Sequence, residues 1–265
     1  MATQYIGPEL SACFSAEQLF DQVDRLEGET FRNVARRRTI KVTLDDENYF
    51  AKIHHGVGWR EIFKNLVQGR LPVLGARNEW LAISALHSVG VPTMEAVLYC
   101  ESGLNPARRK SAILTKSLDN RISLEDFEFT NPLFKRQLVD LVAVMTRRMH
   151  SAGINHRDYY LCHFLLDPQA GEPRLNLIDL HRAQLRARVP RRWLVKDLGG
   201  LLYSTLEKPL TKRDILRFVR TYSGGLATLQ DNKAFWKAVL RRARKLYLQD
   251  HDVIPPDIAA RLEIP

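Results

Sequence analysis

The sequence predicts an α+β fold, with an antiparallel sheet toward the N-terminus and mainly helices after it. Three observations predict it. Residues 30–53 hold alternating apolar and polar runs broken by short polar segments, the pattern of a meander of half-buried strands. Residues 132–151 and several segments beyond 192 repeat apolar side chains at helical spacing. Between them, two short apolar runs on either side of residues 167–174 read as a hairpin with carboxylates near its ends. A chain of 265 residues is long enough for one large domain or for two lobes sharing a cleft. The reading divides it into an N-lobe, 1–117, and a C-lobe, 118–265.

The elements follow in order. Ser15 to Leu26 is expected to be a helix, with Ser15 and Gln18 as a capping box and Leu19, Phe20, Val23 and Leu26 on one face. A strand is expected near Thr30 to Val34. Thr39 to Leu44 alternates, with Ile40, Val42 and Leu44 on one side; Asp45 to Asn48 is a turn, and Tyr49 to Ile53 the returning strand. Lys52 falls on the face opposite Tyr49, Ala51 and Ile53. Such a lysine either faces solvent or is the strand lysine that contacts nucleotide phosphates and pairs with a helix glutamate. A helix over Ala76 to Ser88 carries Glu79 in its first turn, with Trp80, Ile83 and Leu86 or His87 toward the core. Glu79 either pairs with Lys52 or compensates the helix dipole.

Between these two lies Glu61 to Val67, a short amphipathic helix with Ile62, Phe63 and Leu66 beside Arg60 and Lys64. It is expected to pack on the sheet rather than on lipid headgroups, because one short helix has little membrane affinity by itself. Gly56 and Gly58 suggest a loop that approaches a ligand closely. Val97 to Cys100 and Ala112 to Thr115 read as two more strands, joined by a loop with Arg108, Arg109 and Lys110. Lys116 to Asn120 would then be the hinge between lobes, where adenine could bond backbone groups. Pro132 to Ser151 is a helix ended by Gly153. Arg192 to Leu206 is a helix carrying Asp197. Thr211 caps another with Ile215, Leu216, Phe218, Val219 and Tyr222 inside. Asn232 to Leu248 is a long helix, basic on one side through Lys237, Arg241, Arg242 and Lys245, and residues 250–265 form a tail.

Lys and Arg outnumber Asp and Glu 40 to 30, a net charge of +10. That favours an anionic partner: nucleotide phosphate, nucleic acid, an anionic membrane or an acidic protein. Arg32 to Lys41 and Arg182 to Lys196 contain no acid, and each run by itself reads as a solvated face. Aromatics are not interleaved with these runs, and no finger or helix-turn-helix spacing appears, so no nucleic acid is expected as partner. No stretch is apolar for long enough to span a bilayer. Met1 to Cys13 has neither a basic start nor an apolar core, so no secretion signal is expected there. Cys13, Cys100 and Cys162 lack metal-ligand spacing and suggest a reducing compartment.

The chemistry concentrates in Gly153 to Leu166. His156-Arg157-Asp158 opens the stretch, His163 follows five residues after Asp158, and the strand Leu175 to Ile178 delivers Asp179. This is the layout of a phosphotransferase catalytic loop, with one carboxylate to orient a hydroxyl and another for metal. Two carboxylates held close repel unless a cation lies between them, and Mg²⁺ bridging phosphate oxygens supplies it. A surface aspartate before a strand and another starting a turn is the plain alternative. Agreement with Lys52 and Glu79 weighs against it.

Strand lysine, helix glutamate, His-Arg-Asp and strand aspartate in this order resemble the bilobal protein-kinase-like fold over nearly the whole chain. More specifically, the chain resembles the lipopolysaccharide core heptose(I) kinases, which belong with the Kdo kinases in one bacterial family. The stretches that carry this are Lys52-Ile-His-His-Gly-Val-Gly-Trp59, Leu71-Pro-Val-Leu-Gly-Ala-Arg-Asn-Glu-Trp80, Asn155 to His163 and Ile178-Asp-Leu-His-Arg-Ala-Gln184. The resemblance implies transfer of the ATP γ-phosphate to a heptose of the inner core, at the cytoplasmic face of the bacterial inner membrane, by a peripheral enzyme. It implies that Asp158 orients the sugar hydroxyl and accepts its proton late, that Asp179 binds Mg²⁺, that Lys52 holds phosphates, that Glu79 holds Lys52, and that Asp197 props the loop.

Three departures from protein kinases stand out. No Gly-x-Gly-x-x-Gly covers the phosphates, and Arg37 and Arg38 stand there instead, with Lys116 as a further nucleotide contact. His163 occupies the place of a metal-binding Asn, although Mg²⁺ prefers oxygen. Asp179 is followed by Leu-His, with only a short segment to Asp197, so no activation-loop switch is expected. His156, Arg157, His181 and Arg182 are candidate contacts to the anionic lipopolysaccharide core acceptor. Kdo, another sugar or a small-molecule alcohol remains an alternative acceptor, a non-enzymatic module an alternative to catalysis, and an acidic helical protein a candidate partner. The whole reading requires Lys52, Asp158 and Asp179 to gather around one nucleotide-sized crevice.

Overall fold

The computed structural model describes residues 4–34, 36–69, 72–225 and 232–263. Arg70 and Leu71, the latter heading one of the quoted stretches, lie outside them, as do the two ends of the chain. The chain divides into two compact units: Met1–Ser84, Met94–Asp119 and Asp179–Arg182 in the first, and Ala85–Thr93, Asn120–Ile178 and Ala183–Pro265 in the second. The class is α+β, as expected, with a sheet in the first unit and mostly helices in the second.

The first unit is a six-stranded antiparallel sheet. Its strands are β1 (Gln4–Ile6), β2 (Glu29–Val34), β3 (Arg37–Leu44), β4 (Glu47–His54), β5 (Ala96–Ser102) and β6 (Lys110–Lys116), in spatial order β1-β5-β6-β4-β3-β2. Asp45 and Asp46 close the β3–β4 hairpin with φ of 48° and 64°. Two left-handed residues make the primed turn whose twist matches the strands. Tyr49, Ala51 and Ile53 are buried with Ile40 and Val42, under Leu19, Phe20 and Val23 of α1 (Leu19–Asp24). The alternation expected for these strands is therefore present, and it turns Lys52 to the other face.

Three details of this unit differ from expectation. Helix α1 starts four residues late and without the capping box: Gln18 has φ 53° and makes no side-chain cap, while Gln22 donates to Ser15 Oγ at 2.9 Å. Strand β1 gives no periodic signal in three residues and exists through its pairing with β5. Helix α2 (Trp59–Val67) buries Ile62 alone and leaves Trp59, Phe63, Leu66 and Val67 exposed, so its apolar side does not pack on the sheet. Gly56 and Gly58 have φ of 83° and 75°, and a Cβ on Gly56 would sit 2.6 Å from the Ala107 carbonyl. Close approach of backbone to backbone explains that glycine. In α3 (Arg77–Ser88), Ala82, Ile83 and Leu86 are buried, as is Glu79, whereas His87 is exposed.

In the second unit, α4 (Pro132–Ser151) has the expected bounds. Asn131 caps it by accepting from the N–H of Leu133 at 2.9 Å and of Phe134 at 3.2 Å, with proline in the first turn. Strands β9 (Phe164–Leu166) and β10 (Leu175–Leu177) form the expected hairpin, and β7 (Ile122–Ser123) adds to β9. Strand β8 (Ile154–Asn155) pairs with β11 (Gln184–Leu185), both too short for sequence to show. Helices α5 (Arg191–Ser204), α6 (Lys212–Ser223) and α7 (Lys233–Asp250) pack through Leu198, Ile215, Val219, Trp236 and Val239. Thr211 and Asp214 form a capping box on α6. The expected tail contains α8 (Pro256–Arg261), which buries Ile258 beside Leu206 and Tyr247.

Candidate active site

The first unit gathers one group of charged side chains. Lys52 Nζ lies 2.6 Å from Glu79 Oε1 and 3.5 Å from Asp179 Oδ1. Glu79 has no exposed surface, and its Oε2 has no hydrogen-bond partner. A carboxylate taken out of water requires a cation, so the Lys52 pair accounts for Glu79 and dipole compensation does not. Asp179 adopts φ 59° and accepts from His181 Nδ1 at 2.6 Å. Arg37 joins the group. Burial pulls its pKa down, the carboxylates of Glu79 and Asp179 push it back up, and its buried Nε makes no hydrogen bond.

His54 was not singled out by the sequence and belongs here. Burial, followed by the charges of Arg37, His181, Lys52 and His55, brings its pKa down to about 3, so the ring is neutral. A histidine two residues after Lys52, and so on the same face of β4, was the available signal.

Arg38 and Lys116 stand apart from this group. Successive strand residues face opposite ways, so Arg38 turns to α1, donating to the Asp24 carbonyl with the Asp24 carboxylate 3.8 Å away. The Lys116 ammonium lies 3.0 Å from Glu95 and 3.3 Å from Glu9, and its N–H donates to the Glu95 carbonyl at 2.9 Å. In the segment that follows, Asp119 accepts from Lys41, Asn48 and Ser117, which bring its pKa down to about 2.

Two cations beside one carboxylate whose side chain is 32% exposed fit the phosphates of a nucleotide and the Mg²⁺ that accompanies them. Among the described residues no group of three or more His, Cys, Asp or Glu forms a ready cage. Mg²⁺ held by one or two carboxylates, phosphate oxygens and water needs none.

The second unit holds the His-Arg-Asp loop. Asp197 of α5, fully buried, accepts from the backbone N–H of His156 at 2.7 Å and of Arg157 at 2.8 Å, with His150 Nε2 at 3.4 Å. Arg157 has φ 78°, a costly conformation for a residue with a Cβ. Charge-assisted bonds from two consecutive N–H groups to one carboxylate hold it there.

His156 is fully buried and donates from Nε2 to the Ile178 carbonyl at 2.9 Å. Arg157 is 3% exposed and lies over the Trp193 ring at 5.3 Å. Both side chains therefore work inside the unit and are not offered to an acceptor, contrary to expectation. His163 Nδ1 lies 2.7 Å from the Asp158 carbonyl, and the His163 carbonyl accepts from Ile178 N at 2.9 Å. A carbonyl only accepts, so in the neutral ring Nδ1 carries the proton and Nε2 the lone pair. Asp158 is half-buried, and Arg182, in the first unit, is partly exposed.

The segment after Asp179 is tied down. Gln184 pairs with Asn155, and Arg186 N donates to the Gly153 carbonyl at 2.9 Å. The second basic run is more than a solvated face: Arg186, Arg192 and Lys196 from the run, and Arg157 from the His-Arg-Asp loop, lie 5.2–5.8 Å from the Trp193 ring. A tryptophan inside an arginine-rich run was a signal that sequence reading passed over.

Comparison with known proteins gives a consistent result. A family model described as lipopolysaccharide kinase (Kdo/WaaP) family matches residues 21–222. The chain is 47% identical over 240 residues to the lipopolysaccharide core heptose(I) kinase WaaP of Pseudomonas aeruginosa, covering 86% of this chain and 90% of that protein. It is 48% identical over 225 residues to the protein of the same name from Escherichia coli K12, covering 81% and 85%. Among solved structures it is similar to WaaP in complex with acyl carrier protein, with a TM-score of 0.80 and 40% identity over 93% of this chain and 100% of that one.

Proposed function

The chain belongs to the lipopolysaccharide kinase (Kdo/WaaP) family, and on that premise we propose that it transfers the γ-phosphoryl group of ATP to heptose I of the lipopolysaccharide inner core. The observation that carries the reading is Lys52 held at 2.6 Å by a fully buried Glu79 and at 3.5 Å by Asp179.

In this reading Lys52 and Arg37 hold the phosphates, and Glu79 holds the Lys52 ammonium in place. Asp179 is the Mg²⁺ ligand; Mg²⁺ when bound neutralises charge on the phosphate oxygens. Asp158 orients the heptose hydroxyl and takes its proton as the new P–O bond forms and the bond to ADP breaks. Asp197 acts through the loop backbone, and His163, with its lone pair on Nε2, is placed to accept a hydrogen bond from the acceptor hydroxyl or to ligate a metal. His181 positions Asp179.

The test is transfer of labelled γ-phosphate to defined acceptors. Label is expected on a heptose-bearing core and not on Kdo alone; label on Kdo alone overturns the heptose assignment. Asp158→Asn is expected to lower transfer at least 10²-fold, roughly the size of a lost general base.

The exposed side of α7, with Lys237, Arg241 and Lys245, borders a cavity of about 490 Å³ also lined by Arg244 and Leu262. Arg242 instead packs on Gly199, where a Cβ would lie 2.5 Å from its Cγ. A basic helix face beside an open hollow suits an acidic helical protein such as an acyl carrier protein. Co-purification that persists in moderate salt counts against an electrostatic contact of this kind. Among the described residues no helix is long and apolar enough to cross a membrane. We place the enzyme peripherally, at the cytoplasmic face of the inner membrane, where its lipid-anchored acceptor lies.

A further inference from the structure

One end of the sheet in the first unit is unlike the rest of its surface. The antiparallel register pairs Val34 with Arg37, Arg37 with His54, His54 with Ser111, and Ser102 with Lys110. The β2–β3 turn, the start of α2 and the β5–β6 loop are thereby brought to the same end. Hydrogen bonds lock them together: His55 N donates to the Arg36 carbonyl at 2.9 Å, and Gly58 N to the Ala107 carbonyl at 2.9 Å.

Large apolar side chains lie bare at this end. In α2, Trp59, Phe63 and Leu66 recur at helical spacing with Val67 beside them; each is at least half exposed, and Val67 is 88% exposed. Trp59 and Phe63 rings touch at 5.8 Å. Leu104, in the β5–β6 loop, is 96% exposed. Ile62, on the adjoining side of the helix, is buried and anchors α2 to the unit. The apolar side is thus not a core face that failed to close. It is held outward by its own anchor.

The charge around it is predominantly positive. Arg60 and Lys64 follow Val67 around the helix at 100° per residue and border the apolar arc, while Arg36 and Arg108 are exposed on the neighbouring turns. Across residues 31–37, 54–69 and 101–110 the sequence has two acids, Glu61 and Glu101. Glu61 lies 3.7 Å from Lys64, and Glu101 lies 3.9 Å from both Arg77 and Arg109. An apolar arc with a tryptophan at one end and a cationic margin is the chemistry of a surface that enters the interface of an anionic bilayer. The objection that one short helix binds too weakly is met by the loop and turn that share the face.

We propose that α2, with Leu104 and the basic turns beside it, is the surface by which this chain docks on anionic phospholipid, the helix lying in the headgroup layer. The inference rests on the reading of the chain as a kinase for a lipid-anchored acceptor and adds the face it uses. An acidic protein or a second copy of the chain would need the same face to be buried by protein.

The test uses the full chain and vesicles of phosphatidylcholine with or without 30% phosphatidylglycerol as the probe. Co-sedimentation with the anionic vesicles is expected, and about tenfold less without phosphatidylglycerol. Trp59→Ser/Phe63→Ser/Leu66→Ser is expected to lower vesicle partition about tenfold or more with its melting temperature unchanged. Brominated lipid is expected to quench wild-type tryptophan emission, and Trp59→Phe to bind vesicles yet lose most of that quenching. Acceptor in vesicles and deacylated, water-soluble core are then compared as substrates. The triple variant should lose activity on the first and keep it on the second. Undiminished vesicle binding by the triple variant, or a loss confined to self-association or to binding of an acidic protein, overturns the docking face. Failure of the wild type on both acceptors overturns the kinase reading and leaves the vesicle result standing by itself.

Discussion

Glu79 is the residue on which the candidate site turns, because the Lys52 ammonium 2.6 Å away, joined by the charge of Arg37, makes its burial tolerable. Lys52→Met strands a carboxylate with no exposed surface. Breaking one side of such a pair costs about 3 kcal/mol. The variant is expected to unfold at lower denaturant and to lose at least 10²-fold in kcat/KM. Lys52→Met/Glu79→Gln should regain most of the stability and none of the activity. Recovery of both in the double variant would remove Lys52 from the chemistry.

His54 predicts a pH effect. Its folded pKa is about 3, below the ordinary 6.5, chiefly through burial. Below pH 6.5 the unfolded chain takes up a proton that the folded chain refuses until about pH 3. Stability therefore falls as pH drops through that window, and the residue has no effect above it. At pH 4.5 the loss is about 2–3 kcal/mol. The acid limb of a melting-temperature profile should be shallower in His54→Asn than in wild type. Identical limbs would show that His54 protonates freely in the fold.

At the scale of elements, the His-Arg-Asp loop is held from two sides. Helix α5 reaches it through the Asp197 carboxylate, and the β8–β11 pair ties its start to the segment that follows Asp179. Gly153 stands where these meet, at φ 78°, and a Cβ there would lie 1.8 Å from the Arg186 carbonyl. Both the backbone region and the space exclude a side chain. Gly153→Ala is expected to cost more than about 2 kcal/mol, read as a lower midpoint in urea at unchanged slope. An unchanged midpoint would mean that β11 can move away freely.

Elements also show what was legible. Helix α4 was readable to the residue because asparagine-proline begins it, a glycine follows it, and apolar residues mark its inner face. The Thr211 cap of α6 was readable for the same local reason. The Ser15 box was not made, because residues 16–18 take a turn that leaves Gln18 left-handed and Ser15 bonded to Gln22. Lys52, Glu79 and Asp179 were legible by type and order, and their mutual distances became known with the fold. Arg37 and Arg38 are adjacent in sequence, and only the direction of the pleat separates the one that joins the group from the one that does not.

For the whole molecule, nucleotide binding should appear as stability. A ligand that binds only the folded chain adds about 2.7 kcal/mol at a hundred times its Kd. For a chain of this length that is several degrees of melting temperature, at roughly 2–4 °C per kcal/mol. A non-hydrolysable ATP analogue with Mg²⁺ should raise the melting point, and Asp179→Asn should remove the part that depends on Mg²⁺. A full Mg²⁺-dependent rise in that variant would displace Asp179 as the ligand.

By itself the sequence determined the class of fold, the order of the elements and the residue types of a phosphotransferase. Those depend on periodicity, caps and short spacings, which neighbours along the chain decide. Which charged groups meet, and which apolar faces stay open, was decided only by the tertiary structure. Pairing of Glu79 with Lys52, neutrality of His54 beside Arg37 and His181, and the approach of Arg157 to Trp193 all bring together segments far apart in sequence. Their energies depend on exclusion of water and on the nearest opposite charge, and neither is a property of a residue and its neighbours alone.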